Sequence, residues 1–379
     1  MNITNLEKIW QDWQNRSKFS GVFSIRGPLG VIFEKCGGYR NRSEELVNNV
    51  DTAFGIASGT KLFTGLAVCK LIDDKKISLQ DKLCDILSYD LGQIDRDVTV
   101  RHLLTHTSGV GDYIDEEDDE CTEKLKALYD KYPVYLWERL EYYLQMITPL
   151  PPKFKPGTRY SYSNSGFVLL GLVVEAASGL SYQQYVTDNI VKPCSLVRTG
   201  FYRMDSLPAN TAYGYMKDDE TGEWHTNIFS LPVLGGSDGG IFTCAEDIHK
   251  LWNAIASNVI LSEEMTQTFL KSQISTNFGS EDDDDNDDDN DDVNNTDDNT
   301  VLVGDGYYGL GVYLFCNKDG EVYYYYAVGG DSGVDFVTAY FPKQKIVVSA
   351  LGNTQLNLFP LLEAVEMEIC KRGEMLWNT

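Results

Sequence analysis

The sequence lacks the features that mark membrane, disulfide-stabilised and nucleic-acid-binding proteins. No apolar run reaches the roughly 18 residues that a membrane-spanning helix needs. The eight cysteines are scattered without a Cys-x-x-Cys pair, which predicts reduced and mostly buried thiols rather than a disulfide or zinc framework. Lys and Arg number 32 against 57 acidic residues, and the net charge of −25 argues against nucleic acid and anionic membranes as partners.

The N-terminus also lacks the pattern of a secretory leader. The stretch "MNITNLEKIWQDWQNRSK" has neither a basic start nor a continuous apolar segment. Its apolar residues Leu6, Ile9, Trp10 and Trp13 follow helical spacing instead. We therefore expect an N-terminal helix and a cytoplasmic location.

One segment, residues 279–300, is almost entirely polar. Between 281 and 298 it carries twelve acids and no base, so it cannot bury a core, and we predict a disordered acidic insert. It lacks the Asp-x-Asp-x-Asp-Gly spacing and the closing glutamate of a calcium-binding loop. Deletion of 281–298 is expected to leave the melting temperature nearly unchanged.

Strand patterns lie at both ends of the chain and helical patterns lie between them. The stretches "SGVFSIRG" and "GVIFEKCGG" predict an early hairpin, and "YYGLGVYLFC", "EVYYYYAVGG", "GVDFVTAYFP" and "KIVVSALGN" predict later strands. The middle contains a strong helix, "NSGFVLLGLVVEAASG", which we expect to end at Gly179, and the chain closes with an amphipathic helix.

This order predicts a two-lobed α+β fold in a single domain covering residues 1–379. We expect the chain ends, about 1–60 and 240–379, to form an antiparallel sheet of five or more strands, flanked by the N- and C-terminal helices. Residues 61–239 are expected to form an inserted, mostly helical lobe. The active site would then lie between the two lobes.

The stretch "FGIASGTKLFTGLAVCKLI" places Ser58 three residues before Lys61 at the start of a helical pattern. Positions i and i+3 share a helix face. A lysine whose pKa is lowered by burial can accept a hydroxyl proton and activate a serine. The alternative is a helix N-cap followed by a solvated lysine, and the short motif alone leaves both open.

Two further stretches contain residues suited to a hydrolytic site. In "YSYSNSGFVLLG", the Tyr162 hydroxyl can relay a proton and the Asn164 amide can orient a lysine or a substrate, although a loop tyrosine with an asparagine cap fits equally well. In "YYAVGGDSGVDF", Gly329 and Gly330 allow close approach of a ligand to a strand edge. We expect both glycines and Asp331 to contact substrate, although an ordinary glycine turn remains an alternative.

Two histidines, His102 and His106, lie four residues apart in "RHLLTHTSG" and have the spacing of a zinc-binding pair. The sequence offers no evident third ligand and lacks the Glu of a His-Glu-x-x-His motif. We therefore expect neither a metal site nor a cofactor.

Taken together, the motifs resemble those of the serine β-lactamase and penicillin-binding-protein superfamily. The resemblance is to its class C-like, D-alanyl-D-alanine carboxypeptidase and esterase branch. It rests on stretches that follow in order along nearly the whole chain: "FGIASGTKLFTGLAV", "VTVRHLLTHTSGVGDY", "YSNSGFVLLGLVVE", "GGSDGGIFTCAEDIHKLWNAI" and "VGGDSGVDFVTAYFPKQKIVVSALGN". It implies the β-lactamase/transpeptidase fold and an acyl-enzyme mechanism.

By this resemblance Ser58 is the acylated nucleophile, Lys61 its base and Tyr162 a proton shuttle, while Asn164 positions Lys61 and the substrate. The chain departs from the family at Ala327, where relatives carry a Lys or His that helps to hold a substrate carboxylate. Loss of such a charge-assisted hydrogen bond weakens ligands about ten- to a hundredfold. The departure therefore favours esters and amides without a carboxylate.

The sequence thus predicts a serine hydrolase that acts on small esters or on peptides and amides with D-residues, with β-lactams as a further candidate class. An acyltransferase would use the same intermediate. The alternative from another class is a catalytically silent scaffold or self-assembling protein, which the substitution at Ala327 motivates. The expected partner is a small molecule, and the oligomeric state is left open.

Overall fold

The structure, a computed structural model, describes residues 1–277 and 304–375. The whole acidic stretch 279–300 lies outside the described residues, so its predicted disorder stays a prediction. Within the described part, the strands are β1 (Gly21–Gly27), β2 (Gly30–Gly37), β3 (Tyr39–Asn41), β4 (Leu46–Val47), β5 (Phe54–Gly55), β6 (Tyr215–Lys217), β7 (Trp224–Thr226), β8 (Phe242–Thr243), β9 (Ile274–Ser275), β10 (Asp305–Tyr308), β11 (Tyr313–Cys316), β12 (Val322–Asp331), β13 (Val334–Phe341) and β14 (Ile346–Gly352).

The α-helices of the same residues are α1 (Ile3–Ser17), α2 (Thr60–Asp73), α3 (Leu83–Ile86), α4 (Val100–Leu104), α5 (Cys121–Lys131), α6 (Leu144–Ile147), α7 (Asn164–Ser178), α8 (Tyr182–Val186), α9 (Ala245–Ala256), α10 (Glu263–Leu270) and α11 (Phe359–Met375). Short 3₁₀-helices cover Ala57–Gly59, Val134–Leu136 and Leu140–Tyr143, and a π-helical turn covers Thr187–Val191.

Strands from both ends of the chain form one antiparallel sheet, as the sequence predicts. Its eight strands have the order β2-β1-β14-β13-β12-β11-β10-β9. The two chain ends meet where β1 pairs with β14, with Phe23 opposite Ala350. All seven residues of β1 are buried, because elements cover both faces of the sheet.

The terminal helices α1 and α11 pack together on one face of the sheet. Leu6 and Trp10 from α1 and Leu362 and Val365 from α11 share a hydrophobic core with Phe23 of β1. This arrangement confirms the predicted α+β fold with its flanking terminal helices.

The other face of the sheet packs against a second core that is built largely from helices. Helices α2 and α7 are its centre, and eleven residues of α7, from Asn164 to Val174, are buried. Helix α7 ends at Gly179 in a left-handed conformation with φ 73°, as predicted. Among the described residues no single helix is long and apolar enough to cross a membrane; α7 and the segment Tyr182–Val191 pass that test only together, across a bend of 76°.

Two local expectations need correction. The stretch "YYGLGVYLFC" forms two strands, β10 and β11, instead of one continuous strand. The break contains Gly311, whose φ of 101° and whose close approach to Gly65 of α2 leave no room for a side chain. The cysteines are also less buried than predicted, since four of the eight are buried: Cys69, Cys194, Cys244 and Cys316.

Candidate active site

Ser58 lies in a 3₁₀ turn that leads directly into α2. The turn is fixed by backbone hydrogen bonds from Gly59 N–H to the Ile56 carbonyl at 2.8 Å and from Ile56 N–H to the Ile241 carbonyl at 3.1 Å. Ala57 has a φ of 43°, which is strained for a residue with a side chain. The surrounding bonds therefore hold Ala57, and with it the turn that carries Ser58, in a backbone conformation that the isolated turn would disfavour.

Lys61 lies in the first turn of α2 and its side chain reaches Ser58. Only 3% of the residue is exposed. Its Nζ is 2.9 Å from Ser58 Oγ, 2.7 Å from Asn164 Oδ1 and 2.7 Å from the backbone carbonyl of Asp238. Burial lowers the pKa of Lys61, and nearby carboxylates, of which Asp238 is the strongest, oppose this shift.

The hydrogen bonds around Lys61 define what its neutral form can do. The oxygens of Asn164 and Asp238 that face Nζ are acceptors only. The Asn164 amide is fixed in this orientation, because its Nδ2 donates to the Ile114 carbonyl and to Glu116. A neutral Lys61 therefore places its two N–H bonds on these acceptors and directs its lone pair at the Ser58 hydroxyl.

The N-terminus of α7, which carries Asn164, is anchored by the loop that follows α4. Asp112 accepts hydrogen bonds from the backbone N–H groups of Asn164 at 2.7 Å and Ser165 at 2.9 Å. Ser163 caps the helix by accepting from Gly166 N–H at 3.0 Å. Desolvation raises the pKa of Asp112 to about 6.

Desolvation raises the pKa of Tyr162 well above its usual value, and the nearby Ser58 side chain opposes this shift only in part. Lys61 Nζ is 4.8 Å from the centre of the Tyr162 ring. Tyr162 is therefore protonated near neutral pH and can donate or relay a proton. The phenolate form needed for a base is disfavoured.

The two histidines considered for zinc each accept a hydrogen bond from a backbone N–H near the start of a helix. His102 Nδ1 accepts the Thr99 N–H and completes a capping box at the start of α4. His106 Nδ1 accepts the Ser163 N–H at 3.0 Å, and its ring lies 4.6 Å from the Tyr162 ring. Burial, with a smaller effect of Lys61, holds the His106 pKa well below its usual value. Within the described ranges, no group of three potential metal ligands occurs.

The end of β12 lies against the turn that carries Ser58. A Cβ at Gly329 would overlap the Ile56 carbonyl oxygen and would lie 2.9 Å from Ser58 N. Only glycine permits this approach. Gly330 and Asp331 line a cavity together with Ser58, whereas Gly329 packs its backbone against the turn and lines a neighbouring depression.

The cavity beside Ser58 has a volume of about 450 Å³. Its wall includes aromatic side chains and three carboxylates, those of Glu116, Asp238 and Asp331. Desolvation and the charge of Asp238 raise the pKa of Asp331 to about 6. Ala327 is 5% exposed and belongs to the core of the second face, so no cation stands at that position.

The structure thus brings Ser58, Lys61, Tyr162 and Asn164 together, with Gly330 and Asp331 on the same cavity. Sequence reasoning missed Asp238, whose carbonyl holds Lys61 and whose carboxylate accepts the Tyr113 hydroxyl. It also missed the anchoring role of Asp112. Both residues lie within stretches that carry the family resemblance, "GGSDGGIF" and "THTSGVGDY", and this is the signal by which they could have been found.

Comparison with known proteins identifies the family of this chain. The family model described as Beta-lactamase matches residues 11–364. Protein flp of Staphylococcus aureus strain MW2 is 30% identical over 248 residues, which cover 65% of this chain and 43% of the relative. The chain spans about half the length of the curated relatives it matches.

Solved structures agree with this match. A penicillin binding protein from Bacillus halodurans has a TM-score of 0.81 and 37% identity, covering 96% of this chain and 99% of its own. A D-stereospecific amidohydrolase from Streptomyces sp. has a TM-score of 0.74 at 20% identity, covering 98% and 99%, a likeness of fold. The chain therefore belongs to the beta-lactamase family, with the fold of the penicillin-binding proteins.

Proposed function

We propose that this protein is a serine hydrolase that forms a covalent acyl-enzyme on Ser58, with Lys61 as the base. The observation that carries the proposal is the contact of 2.9 Å between a buried Lys61 amine and the Ser58 hydroxyl. Both remaining hydrogen-bonding positions of the amine are occupied by acceptors. This arrangement suits a neutral amine that removes a proton from a serine.

In the acylation step, Lys61 Nζ accepts the Ser58 proton while Oγ attacks the substrate carbonyl carbon. The backbone N–H groups of Ser58 and Gly330 are the proposed donors to the oxyanion that develops. When the bond to the leaving group breaks, the leaving oxygen or nitrogen takes a proton relayed through Tyr162 from the Lys61 ammonium. Ser58 then carries the acyl group as an ester.

In the deacylation step, the same base accepts a proton from water, which attacks the ester carbon. The bond between that carbon and Ser58 Oγ breaks, and the proton returns to Oγ. The products are a carboxylic acid and the regenerated enzyme. Every step uses residues of this chain and water, so the proposal requires no cofactor.

The proposed substrates are small esters or D-residue peptides and amides, with β-lactams as a further possibility to be tested. A cavity of about 450 Å³ suits a small-molecule ligand. The D-stereospecific amidohydrolase whose fold this chain shares acts, by its name, on amides. The buried Ala327 disfavours ligands whose binding depends on a carboxylate.

The alternative, a silent scaffold, rests on that same Ala327. It predicts that the contacts around Ser58 have no catalytic consequence. The arrangement of Ser58, Lys61 and Asn164 supports the hydrolase, since the contact of Lys61 with Ser58 suits proton removal and Asn164 holds the lysine amine in place.

Turnover of p-nitrophenyl acetate and of a chromogenic cephalosporin tests the proposal. We expect the ester to be hydrolysed, and Ser58→Ala and Lys61→Ala each to lower kcat/KM at least about a hundredfold. Lys70→Ala, in the same helix but paired with Asp74 at the surface, is the matched control and should retain activity. Equal rates in wild type and Ser58→Ala would overturn the proposal, and cephalosporin turnover would identify a β-lactamase.

A further inference from the structure

The charges that line the cavity beside Ser58 all have one sign. Glu116, Asp238 and Asp331 line it, and among its described lining residues none is Lys, Arg or His. Lys61 adds no positive charge at the cavity wall, because it is 3% exposed, its amine lies against Ser58, Asn164 and the Asp238 carbonyl, and the proposed base is the neutral amine. A substrate carboxylate would meet repulsion here, whereas a cation would be attracted.

Asp331 is one of these carboxylates and lies at the end of β12 that approaches the Ser58 turn. It follows Gly330 directly in β12, so the two Cα atoms are about 3.8 Å apart. Side chains alternate along a strand, and Asp331 therefore projects to the same side as Gly329, whose Cα faces the Ser58 turn. In the described part of the chain its carboxylate accepts one hydrogen bond, from Ser332 N–H to Oδ1 at 2.7 Å, which leaves Oδ2 for a ligand.

The remaining wall of the cavity is rich in aromatic rings. The lining includes Tyr113, Tyr129, Tyr143, Tyr202 and Phe242. Aromatic faces stabilise a nearby cation, and they also bury the apolar part of a small ligand. Carboxylates and aromatic rings on one cavity are independent features that both favour an organic cation.

We propose that the cavity selects substrates with a primary ammonium group next to the scissile carbonyl, as in amino-acid esters and amides with a free amine. The ammonium pairs with Asp331, while Asp238 and Glu116 add attraction at longer range. This inference rests on the proposed acyl-enzyme function and names the substrate class of that site. It goes beyond the expectation of esters and amides without a carboxylate because it requires a positive charge.

Three methyl esters of alanine test the proposal by titration of released acid: alanine methyl ester, its N-acetyl form and its N-succinyl form, each as both enantiomers. We expect kcat/KM for the free amine to exceed that for the N-acetyl ester about ten- to a hundredfold, with the N-succinyl ester slowest. p-Nitrophenyl acetate, measured in parallel, reports the acyl-enzyme chemistry without any charge.

Asp331→Asn should reduce the ratio of free-amine to N-acetyl turnover about tenfold or more, and Asp331→Glu should restore part of it. Asp319→Asn makes the same charge change in an exposed turn and should leave the ratio unchanged. The ratio should also fall as the pH drops through about 6, where Asp331 protonates while the amine stays charged. The charged groups that influence Asp331 here are Asp238, Lys61 and Glu116.

The outcomes separate the two proposals. Turnover of p-nitrophenyl acetate with equal or faster turnover of the N-acetyl or N-succinyl ester would overturn the ammonium inference alone. A ratio that is the same in Asp331→Asn and in wild type would also overturn it. Absence of turnover for every ester, in a folded protein, would overturn both this inference and the proposed hydrolase.

Discussion

Gly329→Ala tests whether the approach of β12 to the nucleophile turn controls reactivity. An added Cβ would lie 2.8 Å from Gly59 N and 2.9 Å from Ser58 N, and it would overlap the Ile56 carbonyl. An ordinary contact needs at least 3.4 Å, so the contact with Gly59 N alone requires a separation of 3.4 − 2.8 = 0.6 Å, and the overlap with the Ile56 carbonyl requires more. Displacements of about 1 Å at a reacting centre cost on the order of a hundredfold in rate.

We therefore expect Gly329→Ala to lower the second-order rate of fluorophosphonate labelling about ten- to a hundredfold, or about 1.4–2.7 kcal/mol of activation free energy. The free energy of unfolding should fall by about 1–3 kcal/mol through overpacking, which urea titration measures separately. Gly330→Ala is the comparison variant, since no atom lies within 4 Å of a Cβ added there. Its effects on the labelling rate and on the free energy of unfolding should be much smaller. Labelling of Gly329→Ala at the wild-type rate would refute the steric argument.

Three other predictions concern the base, the relay and the helix anchor. Ester kcat/KM should rise with pH, because only the deprotonated form of Lys61 accepts a proton. The inflection should lie below the ordinary lysine pKa, because burial lowers the pKa of Lys61. A pH-independent rate would contradict this. Tyr162→Phe should lower kcat about a hundredfold with less effect on KM, as steady-state kinetics would measure. Asp112→Ala removes the acceptor for two N–H groups of α7 and should lower the free energy of unfolding, measured in urea, by about 1–2 kcal/mol. Asp119 is an exposed acid in the same loop, and Asp119→Ala should leave the free energy of unfolding almost unchanged.

Much of the fold could be predicted from local patterns. The strands β1, β2 and β14 and the helix α7 each have apolar spacing and a clear end signal, such as Gly179. Ser58 and Lys61 are neighbours because they are three residues apart where the 3₁₀ turn leads into α2, which is a local property. The structure of glycine-rich segments was harder to predict, because the break at Gly311 depends on its packing against α2.

The parts of the site that the sequence did not indicate are contacts between distant loops. The Asp238 carbonyl that holds Lys61 is 177 residues away in the chain, and the pairing of β5 with β8 brings the two segments together. Asp112 reaches the start of α7 across 52 residues. A single sequence has no periodicity that reports contacts between such distant loops.

The central claim is that Ser58 becomes acylated with the help of Lys61, and mass spectrometry tests it most directly. The purified protein would be treated with a fluorophosphonate, and intact and peptide masses would be recorded for wild type, Ser58→Ala and Lys61→Ala. The account predicts one adduct on the peptide that contains Ser58, absent in Ser58→Ala and formed much more slowly in Lys61→Ala. An adduct on another residue, or none on the folded wild-type protein, would contradict it.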